Sequence, residues 1–314
     1  MRLPAPKLRR LIVTPRSRNF APAAAATLIL SALLALSPKS ASAQQLTDCS
    51  LEGWAAEVVT AWKQRRMISK ATCYARLISN MDIGRQMRDS VVREFDAISP
   101  RAAYKVVGLD PVNAALPGVD RPMVGMMYVG MFLANGAILP LESAELIITE
   151  PDFLVSVADA RINDATTIEE AAQYIDRIYA FIETLAPTFV NSPPNPYMMQ
   201  ASNLMARWGI IGESIKASAD PAFIESLETM TVTFRDSNGN VLAEQPGAYL
   251  GENPLNGVLV VIEELKRRGE RLEPGDLISS GSYMPPIAVR EPIGYETIYE
   301  GIGGQTLRVS TSFR

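Results

Sequence analysis

Histidine is absent from the 314-residue sequence, and this absence narrows the chemistry that the chain can perform. Soft, nitrogen-rich metal sites of the zinc type are excluded, and so is any acid–base pair that depends on imidazole. A metal site in this chain would instead use oxygen ligands, which hard divalent cations such as Mg²⁺ prefer. Cysteine is nearly as scarce, with two residues, Cys49 and Cys73.

A hydrophobic run long enough to span a membrane is also missing from the N-terminal region. The apolar stretch from Ala23 to Leu36 is shorter than the roughly 20 residues of a spanning helix. It follows a basic, acid-free leader and precedes Ala41-Ser42-Ala43, an arrangement typical of a secretory signal peptide. We therefore expect residues 1–43 to be removed and the mature protein to be periplasmic or secreted. The alternative is that the stretch is retained as a membrane anchor.

Positive charge is scarce in the rest of the chain. Residues 1–43 contain seven of the 30 basic residues and none of the 34 acidic residues, so the remaining chain has a net charge of −11. This charge does not favour binding to nucleic acid or to anionic membranes. Export also favours a disulfide between Cys49 and Cys73 over two buried free thiols, and such a bond would stabilise the fold by about 2–4 kcal/mol.

The spacing of apolar residues divides the remaining chain into a helical part and a strand-rich part. Residues up to about 95 have helical periodicity, whereas those beyond Pro100 form short β-prone runs. A capping-box pattern, Thr167-Ile168-Glu169-Glu170, predicts an amphipathic helix that ends at Glu183. The predicted helices cover residues 50–66, 71–95, 168–182 and 254–269, and the predicted strands cover 104–109, 123–132, 144–149, 153–157, 230–234, 241–244, 277–282 and 306–312.

Two carboxylates lie close together in the strand-like segment Glu150-Pro151-Asp152. Alternate side chains of a strand point to the same face, so Glu150 and Asp152 are expected to lie side by side. Neighbouring carboxylates repel each other unless a positive charge lies between them. A hard divalent cation would supply that charge. The alternative is a solvated acidic pair at the start of a strand.

Several segments, in order along residues 104–313, resemble one family: the 2-keto-4-pentenoate hydratases of the fumarylacetoacetate hydrolase superfamily. Glu150-Pro151-Asp152 is similar to the metal-binding strand of the family. Phe181-Ile182-Glu183 is similar to the segment that carries its third carboxylate ligand. The other similar segments are residues 203–209, 251–256 and 275–282.

The resemblance implies a fold, a cofactor and a ligand. The fold would be α+β, a fumarylacetoacetase-like mixed β-sandwich or roll with flanking helices. A small helical N-terminal region at residues 44–103 would precede the hydratase domain at residues 104–314. Glu150, Asp152 and Glu183 would hold Mg²⁺ or Mn²⁺, the ligand would be a small 2-oxo acid, and the protein would be a homo-oligomer.

The resemblance also implies catalytic residues. Lys105 lies in a segment similar to the family's Lys-Val-Gly-Leu, where it would orient the substrate or transfer a proton; the alternative is a surface charge at the end of a strand. Met123 stands where relatives carry an acid, so Asp120 or Glu142 is the expected substitute. Ser282 is expected to form hydrogen bonds in the pocket, although serines next to turns often cap local backbone.

The function expected from the resemblance is the addition of water to a 2-hydroxydienoic acid, as in 2-oxopent-4-enoate hydratase. A non-catalytic exported protein that binds a metal or a 2-oxo acid is one alternative. A hydrolase that cleaves a C–C bond, or a decarboxylase of the same superfamily, is another. The absence of histidine makes the hydrolase less favourable, because the usual acid–base pair for activating water is missing.

Overall fold

The computed structural model describes residues 49–190 and 195–314. The predicted signal peptide lies outside these residues. Within the described ranges, no helix is both long enough and apolar enough to cross a membrane.

The helices begin with three that form the N-terminal region. A single helix was expected over residues 71–95, but two are present, because Asn80 adopts an extended backbone and caps the second by accepting a hydrogen bond from the Ile83 amide at 2.9 Å. The helices of the described residues are α1 (Trp54–Gln64), α2 (Ala71–Leu77), α3 (Met81–Asp96), α4 (Pro111–Ala114), α5 (Ile168–Ala172), α6 (Pro196–Ala201), α7 (Pro221–Thr229) and α8 (Asn256–Arg267).

The strands of the described residues all lie beyond residue 100, as expected from the β-prone runs there. They include the hairpin predicted around Asp236, whose turn places Gly239 at a φ of 88°. The strands are β1 (Arg101–Val107), β2 (Met123–Tyr128), β3 (Phe132–Ala134), β4 (Ala137–Leu139), β5 (Ile147–Val157), β6 (Ile175–Leu185), β7 (Ala206–Lys216), β8 (Thr231–Asp236), β9 (Val241–Pro246), β10 (Leu277–Ser282), β11 (Ile287–Val289), β12 (Ile293–Ile302) and β13 (Gln305–Phe313).

The strands form two mixed sheets. The larger sheet has the order β2-β1-β10-β5-β6-β7-β3, with β11 also paired to β5, and the smaller has the order β4-β13-β12-β8-β9. Strands β5 and β6 are antiparallel neighbours at the centre of the larger sheet. The smaller sheet packs against β6 and β7 through β12 and β13. This is the mixed α+β architecture that the resemblance implied.

A close approach between β7 and β13 allows the two sheets to pack together. A Cβ atom at Gly212 would lie 2.4 Å from the Arg308 carbonyl oxygen and 2.5 Å from the Val309 Cβ, so a side chain at this position would separate the sheets. Nearby, the buried hydroxyl of Tyr299 on β12 donates hydrogen bonds to the carbonyl oxygens of Asp152 and Phe181. The smaller sheet therefore supports the backbone of β5 and β6 from behind.

The N-terminal helices share one hydrophobic core with the strands. The indole of Trp54 donates to the Ala201 carbonyl at 2.9 Å, and that of Trp62 donates to the Ala206 carbonyl at 3.0 Å. The Cys49–Cys73 disulfide is present and ties the segment before α1 to α2. The boundary expected between residues 103 and 104 therefore does not separate two cores.

Two predictions about the central strands were wrong. Residues 144–149 and 153–157 were expected to be separate strands, but β5 is continuous through Pro151. Proline is tolerated there because β11 pairs with β5 up to Thr149 and β10 pairs with it from Asp152, so Pro151 lies between the two partners. Glu183 was expected at the end of a helix, but α5 ends at Ala172 and Glu183 lies within β6.

Candidate metal centre and cavity

Three acidic side chains meet at the centre of the larger sheet. Glu150 and Asp152 are two residues apart on β5, and Glu183 is the direct cross-strand partner of Glu150 on β6. Each offers a carboxylate oxygen, and these oxygens all lie within 4.8 Å of one another. All three side chains are buried, so the alternative of a solvated acidic pair is excluded.

The carboxylate of Asp152 is held in place by backbone amides. Its Oδ1 accepts hydrogen bonds from its neighbour Phe153 and from Gly281, both at 2.8 Å. Gly281 has a φ of 109°, a conformation that residues with a side chain rarely adopt. It lies in a register irregularity of β10 between Ser279 and Ser282, where the chain turns an amide towards β5. This contact explains why a glycine is found here in the segment similar to the family.

Lys105 is the positive charge beside the three carboxylates. It extends from β1, its side chain is 1% exposed, and its Nζ lies 2.7 Å from Glu183 Oε1. A surface charge at a strand end is therefore excluded for Lys105. The same Nζ donates to the Leu204 carbonyl at 3.3 Å. The other oxygen of Glu183, Oε2, is buried and has no hydrogen-bond partner in the structure.

A strained turn holds the Leu204 carbonyl over Lys105. Asn203, Leu204 and Met205 all have φ values between 53° and 59°, a left-handed conformation that is costly for residues with a side chain. The side chain of Asn203 fixes the turn, because its amide accepts from the Met126 N–H and donates to the Met126 carbonyl, both at 2.8 Å. The resemblance pointed to this asparagine, which is the one residue of the three that often adopts a left-handed conformation.

The electrostatics of the cluster favour a bound cation. Burial, together with the negative charge of Glu183, raises the pKa of Asp152 to about 8. Burial also raises the pKa of Glu150 well above its ordinary value, a change that Lys105 opposes. One lysine cannot neutralise three carboxylates, and Glu183 keeps an unpartnered buried oxygen. The residues present therefore fit a hard divalent cation.

The raised pKa of Asp152 predicts a dependence of magnesium binding on pH. The folded, metal-free protein binds a proton at Asp152 more tightly than the unfolded chain does, so this group stabilises the fold at low pH and the stabilisation is lost as pH rises to about 8. Magnesium must displace that proton, so we expect its affinity to increase with pH and to level off above about 8. Calorimetric titrations at pH 6 and pH 9 in two buffers would measure the affinity and the protons released; an affinity that does not change with pH would contradict the assignment.

A cavity of about 360 Å³ reaches the cluster from one side. Lys105, Glu150 and Ser282 line its inner end. The hydroxyl of Ser282 donates to the Met284 carbonyl at 2.7 Å and accepts from the Met284 amide at 3.3 Å, so it caps local backbone. Most of the remaining wall is apolar. The structure thus places Lys105 and Ser282 beside the carboxylates, and their catalytic roles stay predictions.

Asp120 is the predicted site residue that the structure places elsewhere. It is half-exposed, forms ion pairs with Arg85 and Arg121, and does not line the cavity. Glu142, the other candidate substitute, is exposed. Met123, where the resemblance implied an acid, is buried in a small apolar cluster with Met81 and Leu204.

The Arg207 segment, also similar to the family, has a packing role. Its guanidinium lies between two indole rings, 4.1 Å from the centroid of Trp62 and 4.7 Å from that of Trp208. It also donates to the Trp62 carbonyl at 2.9 Å. Burial and the charge of Arg65 lower the pKa of Arg207 to about 10. These contacts join α1 to the start of β7.

Comparison with known structures identifies the fold as that of the fumarylacetoacetate hydrolase superfamily. The 4-oxalocrotonate decarboxylase from Pseudomonas putida G7, complexed with magnesium and adipate, superposes with a TM-score of 0.73 at 20% identity, covering 84% of this chain and 97% of the decarboxylase. The same enzyme complexed with calcium and acetate gives a TM-score of 0.70 at 19% identity and the same coverage. A protein from Oleispira antarctica assigned to the fumarylacetoacetate isomerases/hydrolases gives 0.53 at 11% identity, covering 68% of this chain and 92% of that one.

Sequence comparison shows similarity to a hydratase. The 2-keto-4-pentenoate hydratase of Burkholderia vietnamiensis strain G4 is 24% identical over 211 residues, which cover 65% of this chain and 76% of the hydratase. No family model matches the sequence. The match to the hydratase confirms the resemblance that the segments suggested, and the structural similarity confirms the predicted fold.

Proposed function

We propose that this chain is an enzyme that binds Mg²⁺ or Mn²⁺ through Glu150, Asp152 and Glu183 and adds water to a 2-hydroxydienoic acid. The observation that carries the proposal is the buried cluster of three carboxylates and Lys105 at the inner end of an otherwise apolar cavity. The similarity to a 2-keto-4-pentenoate hydratase supports the reaction, and the magnesium complex of the similar decarboxylase supports the metal.

The bound ion would supply a Lewis acid, which stabilises the negative charge that develops on the 2-oxo oxygen as the dienoate reacts. The residues of the chain have separate tasks around it. The ammonium group of Lys105 forms an ion pair with Glu183 and can hold or transfer the proton that the substrate gains. The apolar walls of the cavity keep bulk water away from the reacting carbons.

Decarboxylation is the second candidate reaction, and one observation favours it: the similar decarboxylase is covered over 97% of its length, including the N-terminal helical region. Both reactions begin with a 2-oxo acid and a metal, so the carboxylate cluster does not distinguish them. They differ in the far end of the substrate, which is uncharged in the dienoate and carries a carboxylate in oxalocrotonate. The protein would act in the periplasm, a location with which the disulfide is compatible.

Two measurements test the proposal. Thermal melting with and without millimolar Mg²⁺ or Mn²⁺ is expected to show a higher midpoint with metal, because a ligand that binds the folded state stabilises it. Loss of dienoate absorbance on incubation with 2-hydroxypenta-2,4-dienoate is then expected in the presence of metal. No melting shift would overturn the metal site, and a shift without turnover would favour a non-catalytic binding protein.

A further inference from the structure

We propose that the cavity selects 2-oxo acids whose far end is an uncharged, apolar tail several carbons longer than that of a five-carbon substrate. This inference rests on the proposed function, because it assumes that the carboxylate and oxo group lie at the metal. It adds a prediction about the tail of the ligand, which would occupy the rest of the cavity.

The distribution of charge along the cavity is the first argument. Among the described residues that line it, Lys105 is the one cation, and it lies at the inner end, where Glu183 and the Leu204 carbonyl already occupy its ammonium group. The two charged residues besides Lys105 in the described lining are acidic, Glu150 and Asp110. Asp110 is buried and accepts hydrogen bonds from the backbone and side-chain amide groups of Asn113, both at 2.9 Å.

A second carboxylate on the ligand would therefore lose its hydration without gaining a positive partner. Burying an unpaired charge is strongly unfavourable, and the charge of Asp110 would repel it further. The similar decarboxylase is complexed with adipate, a dicarboxylate, so the two cavities are expected to differ in ligand preference.

The apolar wall is the second argument. The apolar residues that line the cavity include Leu146, Ile148, Phe189, Met199 and Pro285. Its volume of about 360 Å³ falls in the range of roughly 300–1,000 Å³ that is usual for drug-sized ligands, and a five-carbon acid would leave much of this wall uncovered. Val190 lines the cavity while remaining largely exposed, so it marks the opening through which a longer tail could extend.

Calorimetric titration with a series of 2-oxo acids in the presence of Mg²⁺ tests the inference. Pyruvate, 2-oxopentanoate, 2-oxohexanoate and 2-oxooctanoate are expected to bind progressively more tightly, by about threefold to fourfold for each buried methylene. 2-Oxoadipate has the same number of carbons as 2-oxohexanoate but a second carboxylate, and it is expected to bind at least about tenfold more weakly than 2-oxohexanoate.

A variant at Met199, in the apolar wall of the cavity, tests whether charge determines the preference. Met199→Lys places a cation on a side chain of similar length, so the preference between the two six-carbon acids should reverse, with 2-oxoadipate gaining at least about tenfold. Met199→Leu is the matched control and should retain the original preference.

The outcomes separate the two proposals. If even pyruvate does not bind in the presence of metal, the proposed function fails. If pyruvate binds but chain length has no effect, or if 2-oxoadipate binds more tightly than 2-oxohexanoate, the inference about the tail is overturned and the proposed function stands.

Discussion

Replacing Glu183 with glutamine is expected to abolish the magnesium-dependent rise in melting temperature and to reduce magnesium affinity by at least about a hundredfold. The amide removes one of three anionic ligands, and the charge of the ligand set determines the affinity of hard cations. Glutamine keeps a carbonyl oxygen for Lys105, whose Nζ lies 2.7 Å from Glu183 Oε1, so the local packing should persist. In the metal-free protein the substitution relieves repulsion with Asp152 but also removes the anionic partner of buried Lys105, so the diagnostic quantity is the shift in melting temperature that magnesium causes.

Glu142→Gln is the matched control for this variant. Glu142 is exposed in the turn that precedes β5, so removing its charge should leave both magnesium affinity and melting temperature unchanged. Melting curves and calorimetric titrations of the two variants and the unmodified protein would decide the matter. A full melting shift with magnesium in Glu183→Gln would show that Glu183 is not a ligand.

The sequence predicted the identity of the three carboxylates but not how they meet. Glu150 and Asp152 could be paired from the alternation of side chains along a strand. Glu183 was assigned to a helix because Ile168, Ile175 and Ile182 have an approximately helical spacing. In the structure β6 is buried on both faces over its second half, so apolar residues do not alternate with polar ones there and periodicity cannot distinguish the strand from a helix.

The contacts of Lys105 could not be predicted from the sequence. Its partner Glu183 is 78 residues away, and the Leu204 carbonyl is 99 residues away. The contact between Lys105 and the Leu204 carbonyl depends on a left-handed turn formed by Asn203, Leu204 and Met205. A left-handed turn is predicted from sequence mainly at glycine or asparagine, and two of these three residues are neither. Only Asn203 gave any local signal for it. Contacts of this kind follow from the register of distant strands and from packing, which a single sequence does not specify.

Pro151 illustrates a local rule that the larger fold overrides. A proline within a strand removes a donor from the hydrogen-bonding ladder, and the β-prone runs 144–149 and 153–157 were predicted on either side of it. The structure accommodates Pro151 because β11 and β10 pair with successive parts of the same edge of β5. Pro151, which has no N–H to donate, lies between these two parts. The result is a single strand that carries both Glu150 and Asp152 at a fixed separation.

Replacing Lys105 with methionine is expected to separate catalysis from metal binding. Methionine keeps an unbranched side chain but removes the one cation of the cluster, so turnover of 2-hydroxypenta-2,4-dienoate should fall by about 10²- to 10⁴-fold, the usual contribution of a general acid–base group. Magnesium affinity should not fall and is expected to rise, because the ion no longer competes with an ammonium group for Glu183. The two effects therefore have opposite signs, unlike those of Glu183→Gln, which should lower both.

The assay of Lys105→Met must be made in millimolar magnesium, because loss of one partner from a buried ion pair leaves Glu183 uncompensated and costs about 3–5 kcal/mol in the metal-free protein. Lys63→Met, at an exposed position on α1, is the control and should retain both turnover and magnesium affinity. A Lys105→Met protein that melts normally with magnesium and turns over at the original rate would restrict Lys105 to balancing charge. A variant that loses magnesium affinity in proportion to activity would instead make Lys105 necessary for assembling the carboxylates. Only a large fall in kcat with magnesium affinity retained assigns Lys105 to the movement of the proton.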